Sequence, residues 1–123
     1  MILVIGGAGQ GKLDALLRNT NYNKKEITER LGEDKPVLVH LEKAVKEALL
    51  SGMTQEQILA ELMWHEAVIC REVGCGVVPI DRMEREWRET VGRICCRLAQ
   101  DADEVVRVFA GIPMVLKGER KWK

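Results

Sequence analysis

The sequence has no long hydrophobic run, and its first residues are not expected to form a secretory leader. No stretch of about 20 consecutive apolar residues is present, so no segment is predicted to cross a membrane as a helix. The apolar residues 1–5 are too few for the core of a secretory signal peptide, and no basic residues precede them. We therefore expect a cytoplasmic protein with no membrane partner.

The sequence also has no excess of charge of either sign. Lys and Arg together number 19, and so do Asp and Glu. A chain without net charge has no overall field that would recruit nucleic acid, so we expect no nucleic-acid partner. Its 123 residues suit one domain, predicted at residues 1–117, followed by a basic tail at residues 118–123. We expect that tail to be frayed.

Ligands for a soft metal are few, namely two histidines and four cysteines. Cys95 and Cys96 are adjacent within a helical pattern and point in different directions, so they cannot easily share one tetrahedral site. Cys70 and Cys75 are separated by four residues. We predict no metal site and expect reduced, partly buried thiols.

The sequence does contain a glycine-rich stretch near its start, with the spacing G-x-x-x-x-G-K. Residues 1–5 suit a buried strand, and residues 12–18 suit a helix. Glycines permit backbone angles at which successive N–H groups converge on an anion, and the helix N-terminus adds partial positive charge. The alternative is a plain tight turn. We predict that ATP or GTP binds at Gly6, Gly7, Ala8, Gly9, Gln10, Gly11, Lys12 and Leu13.

One position departs from the phosphate-loop pattern. Leu13 stands where Ser or Thr would hold Mg²⁺. The apolar side chain has no oxygen to offer, which argues against Mg²⁺ and against assuming that the nucleotide is turned over. Lys12 remains available to contact the outer phosphates.

Strand and helix patterns alternate along the rest of the chain. Strands are predicted at residues 37–39, 67–70, 104–109 and 114–116, and helices at residues 41–50, from Thr54 and at residues 81–102. A helical turn is predicted at residues 28–31 and a loop at residues 71–79. The order predicts an α/β, three-layer, P-loop NTPase-like fold with a mostly parallel sheet and a C-terminal β-hairpin.

Three polar residues follow predicted strands, at the sheet edge where ligands bind in open α/β folds. His40 and Glu42 follow the strand at residues 37–39, and Glu72 follows the strand at residues 67–70. All three are candidates to line the site. The alternatives are a hydrogen-bonded core or rim histidine for His40, a surface charge for Glu42, and an ion pair with Arg71 or Arg82 for Glu72.

The second half of the chain carries a family resemblance. The segments Glu72-Val73-Gly74 and Gly76-Val77-Val78-Pro79 are followed by Trp87-Arg88, Gly92-Arg93, Arg97-Leu98-Ala99 and Gly111-Ile112-Pro113. Together with the glycine loop, these segments resemble the bifunctional adenosylcobinamide kinase/adenosylcobinamide-phosphate guanylyltransferase family of cobalamin biosynthesis. The resemblance implies a homo-oligomer that phosphorylates the aminopropanol arm of a corrinoid, cobinamide. It also implies transfer of GMP from GTP through a guanylylated histidine.

The chain departs from that family at the positions that the resemblance assigns to metal binding and to the acceptor histidine. His40 stands where the family has a metal-binding carboxylate, and residues 19–35, where the acceptor histidine is expected, contain no histidine. Guanylyl transfer is therefore not expected. Three hypotheses remain open: a shortened, divergent kinase, a non-catalytic nucleotide- or phosphate-binding regulatory or partner subunit, and a structural relic.

Overall fold

A computed structural model of the protein describes residues 1–73 and 81–123. Within them, the strands are β1 (Ile2–Gly6), β2 (Ile27–Thr28), β3 (Val37–Leu38), β4 (Ala67–Arg71), β5 (Glu104–Phe109) and β6 (Ile112–Lys117). The helices are α1 (Lys12–Asn19), α2 (Leu41–Leu50), α3 (Gln55–Leu62) and α4 (Arg82–Asp101), with a 3-10 turn at Lys24–Glu26. The family-like segment at residues 74–80, including Cys75, lies outside the described residues.

The six strands form one sheet in the order β2-β3-β4-β1-β5-β6. Neighbouring strands from β2 to β5 run parallel, and β6 pairs antiparallel with β5. The strand before the glycine loop, β1, is therefore central, with β4 on one side and β5 on the other. This is the predicted P-loop NTPase-like α/β fold, with a mostly parallel sheet and a C-terminal β-hairpin.

Helices cover both faces of the sheet, which gives the predicted three layers. Alternate residues of β1 point to opposite faces because side chains alternate along a strand. Leu3 packs in one core with residues of α2, α3 and α4. Val4 packs in the other core with α1, where Leu16 is fully buried. Burial on both faces explains the continuous apolar run of β1.

Helix starts are the local features that the sequence pattern located best. Thr54 forms the expected capping box with Gln57, in which each side chain accepts from the other's backbone N–H. The Asp81 carboxylate accepts from the N–H of Met83 at 2.9 Å and starts the long α4 helix. These caps are local contacts, and residue type and spacing suffice to predict them.

The predicted helical turn at residues 28–31 is wrong. Ile27–Thr28 is a strand that pairs with β3. The helical turn comes earlier, at Lys24–Glu26, because Asn23 and Glu26 form a capping box there. The last strand also begins before the predicted residue 114, since Ala110 and Gly111 form a two-residue turn with positive φ at both positions (50° and 77°).

The basic tail, which was predicted to be frayed, packs on the body of the protein instead. Trp122 contacts the core beside α1, and its Nε1 donates to Glu104 Oε1 at 3.1 Å. The N–H of Lys123 donates to Asn19 Oδ1 at 2.8 Å. A tryptophan and specific hydrogen bonds offset the entropy that would otherwise fray a polar terminus. None of the helices in residues 1–73 and 81–123 has the length and apolar character needed to cross a membrane.

Candidate phosphate-binding site

The glycine-rich loop lies at the carboxyl end of β1, in the middle of the sheet, and leads into α1. Gly9 and Gly11 have positive φ angles of 68° and 86°, which other residues adopt only with strain. Gly6 is needed for a different reason. A Cβ atom at its position would lie 2.5 Å from the carbonyl oxygen of Val108. The loop therefore requires glycine both for its curvature and for its packing against β5.

The start of α1 presents backbone N–H groups without a side-chain cap. Gly11 is the N-cap residue, and glycine has no side chain with which to accept from the first turn. The N–H groups of a first helical turn have no partner within the helix, and the helix dipole adds partial positive charge at this end. An anion at this point could accept hydrogen bonds from the helix itself.

Lys12, the first residue of α1, folds back over the loop. Its Nζ donates to the carbonyl oxygen of Gly7 at 2.7 Å. Burial lowers the pKa of the Lys12 ammonium from its ordinary value, and the Glu42 carboxylate opposes that shift. The ammonium has three N–H donors, so donors beyond the one bonded to Gly7 are available to a phosphate oxygen. A charged acceptor of that kind forms a stronger hydrogen bond than a neutral carbonyl.

A pocket of about 230 Å³ opens beside the loop. That volume is several times the roughly 30 Å³ that a water molecule occupies in the liquid. It is smaller than the about 300 Å³ at which small-molecule binding pockets begin. It suits a phosphate group rather than a whole nucleotide. Of the residues predicted for the site, those that line the pocket are Gly9, Gln10, Gly11, Lys12, Leu13, His40 and Glu42. Gly6, Gly7, Ala8 and Glu72 are not among its lining residues.

The pocket is also lined by four residues that the sequence pattern did not single out: Asp14, Val39, Ile69 and Arg71. Asp14 follows Leu13 in the first turn of α1. Ile69 and Arg71 belong to β4, which lies beside β1, so they reach the pocket through the sheet order. The general rule that ligands bind at the carboxyl ends of strands could have included Arg71, the last residue of β4.

Glu42 is a buried carboxylate at the wall of the pocket, with 4% of its surface exposed. Its Oε1 accepts from the N–H of Arg71 at 2.9 Å, and its backbone carbonyl accepts from Trp87 Nε1 at 2.8 Å. The helical spacing of Val45, three residues on, places Glu42 on the buried face of α2. The sequence left two interpretations of Glu42 open, a residue that lines the site or a plain surface charge. Its burial excludes the plain surface charge.

His40 is the N-cap residue of α2 and has a left-handed backbone, with φ 56° and ψ 50°. Its side chain is half exposed and lies between two carboxylates. His40 Nε2 is 3.3 Å from Glu29 Oε1, and Nδ1 is 3.6 Å from Glu42 Oε2. A non-glycine residue in this conformation is uncommon and often occurs at functional sites. In this protein the residue with that conformation lines the pocket.

Glu72 forms an ion pair, although with a different partner from the two considered from the sequence. Its carboxylate pairs with Arg107 of β5 through two contacts, Oε1 with Nε at 3.0 Å and Oε2 with Nη2 at 3.2 Å. The N–H of Glu72 donates to the carbonyl oxygen of Gly6 at 2.9 Å. The pair joins β4 to β5 across the end of β1, at the base of the glycine loop.

The pocket lining brings together two carboxylates, those of Asp14 and Glu42, with the apolar side chain of Leu13 and the imidazole of His40. Mg²⁺ prefers oxygen ligands in an octahedral arrangement. Leu13 supplies an apolar side chain, and His40 supplies an imidazole that already lies between two glutamates. Across residues 1–73 and 81–123, no group of three or more His, Cys, Asp or Glu side chains is arranged to hold a metal ion. Cys70 is buried on the opposite face of β4, and contact with Cys95 raises the pKa of its thiol.

Comparison with known proteins points to one family. The sequence model of the family described as cobinamide kinase / cobinamide phosphate guanyltransferase, CobU, matches residues 25–116. The bifunctional adenosylcobalamin biosynthesis protein CobU of Salmonella typhimurium is 44% identical over 50 residues, which are 41% of this chain and 28% of that protein. The corresponding protein CobP of Pseudomonas aeruginosa is 34% identical over 74 residues, 60% of this chain and 39% of its own length.

The relatives are considerably longer than the part that this chain matches. CobU of Escherichia coli is 40% identical over 50 residues, again 41% of this chain and 28% of that protein. The chain therefore spans less than half the length of these curated relatives. The family match begins after the glycine loop, at residue 25. Because it extends to residue 116 and covers most of the sequence, the chain belongs to the cobinamide kinase / cobinamide phosphate guanyltransferase family.

Proposed function

We propose that this member of the family binds a nucleoside triphosphate, with the outer phosphates in the pocket between the glycine loop and α2. The observation that carries the proposal is the meeting of the uncapped start of α1, the Lys12 ammonium and an open pocket at the carboxyl end of the central strand. Backbone N–H groups and one mobile cation are the recurring means of holding phosphate in P-loop proteins. We place the protein in the cytoplasm.

The charges around the pocket favour binding through hydrogen bonds over binding through net charge. Lys12 and Arg71 are cationic, whereas Asp14 and the buried Glu42 are anionic. These charges offset one another, so the attraction for a phosphate must come from close contacts with N–H groups and the Lys12 ammonium. The pocket volume leaves the base and ribose outside, and no base-reading motif distinguishes ATP from GTP.

The two histidines of the chain argue against guanylyl transfer through a histidine intermediate. His65 is buried and uses both ring nitrogens, because Nδ1 contacts the carbonyl oxygen of Lys35 at 2.8 Å and Nε2 accepts from the N–H of Gly32 at 3.2 Å. His40 lies between two glutamates that would oppose an approaching phosphate. Neither ring offers a free nucleophilic nitrogen in an electropositive setting, which acceptor chemistry requires.

If the protein is an enzyme, we propose that it phosphorylates a corrinoid. The family's name describes a cobinamide kinase, and phosphoryl transfer depends mainly on positioning and on neutralising charge. The alternative is a non-catalytic regulatory or partner subunit that binds a nucleotide or another phosphorylated ligand. The apolar Leu13 at the magnesium position is the feature that favours this alternative.

Calorimetric titration with ATP and GTP, each with excess Mg²⁺ and with EDTA, tests the proposal. Saturable binding of either nucleotide that Lys12→Ala abolishes supports it. If neither nucleotide binds under either condition, the proposal is overturned, and the hypothesis of a structural relic remains. Incubation of the protein with ATP, Mg²⁺ and cobinamide then separates the two forms. ADP formation that requires cobinamide identifies the kinase, and binding without turnover identifies the regulatory subunit.

Self-association is part of the proposal. The family resemblance implies a homo-oligomer, and the described surface carries several exposed apolar side chains. The largest run lies along the β-hairpin, where Phe109, Ile112 and Leu116 each expose about 60% or more of their surface (62%, 65% and 60%). Exposed apolar patches of this kind are common at interfaces between subunits. Light scattering after size exclusion measures the molar mass directly.

A further inference from the structure

The turn between β5 and β6 is attached to the glycine loop by hydrogen bonds that span about 100 residues of sequence. The N–H of Ala110 donates to the side-chain Oε1 of Gln10 at 2.5 Å. The N–H of Gly111 donates to the backbone carbonyl of Gln10 at 2.9 Å. Both acceptors of Gln10, one in the side chain and one in the main chain, are thus bound by consecutive N–H groups of one turn.

A third contact joins the same turn to the helix that follows the loop. Arg18 Nη2 lies 3.4 Å from the carbonyl oxygen of Gly111 and 3.2 Å from that of Lys123. Gly11 also lies close to the turn, because a Cβ atom added there would be 3.5 Å from the Gly111 Cα. The turn therefore touches the loop at Gln10 and Gly11 and touches α1 at Arg18.

The geometry of a phosphate nest explains why such contacts matter. When successive N–H groups converge on an anion, the carbonyl groups of the same peptides point away from it and need other partners. The Gly7 carbonyl has the Lys12 ammonium as its partner, and a bound phosphate would compete for that ammonium. The Gln10 carbonyl has the N–H of Gly111, which does not depend on the ligand.

We propose that Gln10 is a positioning residue, through which the Ala110–Gly111 turn holds the glycine loop in its phosphate-accepting shape before any ligand arrives. This inference rests on the proposed function for its consequence in binding, and on the hydrogen bonds alone for its structural part. A loop already held in shape loses less conformational entropy when it binds, and so binds more tightly. The turn has positive φ at both of its residues, as a tight two-residue hairpin requires.

The test uses Gln10→Met, which keeps the length of the side chain and removes the acceptor. Gln100→Met, at an exposed position on α4, is the matched control. In the ligand-free protein we expect amide hydrogen exchange of Gly111, whose N–H donates to the Gln10 backbone carbonyl, to be about two- to tenfold faster in Gln10→Met, the range that one net hydrogen bond implies. Gln10→Glu keeps an acceptor for Ala110 and should restore the slow exchange.

Titration with inorganic triphosphate measures the consequence for binding. We expect Gln10→Met to bind it about two- to tenfold more weakly than the wild type, while Gln100→Met binds it unchanged. Unchanged exchange of the Gly111 amide in Gln10→Met would overturn the inference, as would equal acceleration in Gln10→Glu. If the wild type binds no triphosphate, the proposed function fails, but the exchange measurement still decides whether the turn holds the loop.

Discussion

Replacing Lys12 with methionine separates a binding lysine from a structural one. Methionine keeps most of the apolar stem and removes the ammonium that donates to Gly7. Folding loses one charge-assisted hydrogen bond, but it also no longer desolvates a cation, the effect that lowers the pKa of Lys12. The two effects oppose each other, so we expect the free energy of unfolding to change by less than about 1 kcal/mol.

The same change should weaken phosphate binding far more than stability. A hydrogen bond to a charged partner contributes about 1.5–3 kcal/mol, which corresponds to a loss of affinity of roughly 10- to 150-fold. Calorimetric titration with inorganic triphosphate gives the affinity, and urea unfolding gives the stability. Lys25→Met, at an exposed lysine in the 3-10 turn, is the control. An affinity that falls by less than threefold in Lys12→Met would refute the role of Lys12 as a phosphate ligand.

The pH dependence provides a second test of the same residue. Because the pKa of Lys12 is lowered, its ammonium loses its proton at a lower pH than an ordinary lysine with a pKa of 10.5. Triphosphate affinity should therefore fall in the alkaline range below pH 10.5 in the wild type and stay flatter in Lys12→Met. The stability effect has the opposite sign: in this window the unfolded chain holds more protons than the folded one, so the Lys12 contribution to stability rises with pH.

Three further substitutions test other parts of the structure by urea unfolding. Ala110→Asn should stabilise the protein by about 0.5–1 kcal/mol, because Asn tolerates a positive φ better than Ala; a loss of stability would contradict the turn geometry. Glu42→Leu should destabilise by about 1–3 kcal/mol, because it leaves the N–H of Arg71 unpaired, whereas Glu42→Gln keeps the acceptor and should cost less. Trp122→Ala should destabilise by about 1–2 kcal/mol; unchanged stability would mean that the tail does not hold to the body in solution.

Local patterns predicted the elements that depend on neighbouring residues. The bounds predicted for α2 are those of the structure, and the caps at Thr54 and Asp81 are where residue type and spacing predicted them. The short strand β2 was missed because two residues carry too little periodicity, and only the pairing of Ile27 with Val37 makes them a strand. Nonlocal pairing overrides weak local preference in such short segments.

The pocket residues outside the glycine loop, such as Arg71 and Glu42, were harder to predict than the loop itself. The spacing of the glycines and Lys12 is local, so the loop could be located from sequence. Arg71 reaches the pocket only because β4 lies beside β1, and strand order is not written in any local pattern. The burial of Glu42 depends in the same way on α4, whose Trp87 donates to the Glu42 carbonyl across 45 residues.

The contact between Gln10 and the Ala110–Gly111 turn depends both on local sequence patterns and on the order of the strands. Each partner is recognisable alone, as a glycine-rich loop and as a tight hairpin, but neither pattern indicates that they meet. They meet because β1 and β5 are parallel neighbours, so the end of β1 and the end of β5 lie at the same edge of the sheet. A loop that follows a central parallel strand always lies beside the end of a neighbouring strand. In this protein that neighbour, β5, ends in a turn whose two N–H groups donate to Gln10. The shape of the site is therefore a property of the sheet as much as of the loop.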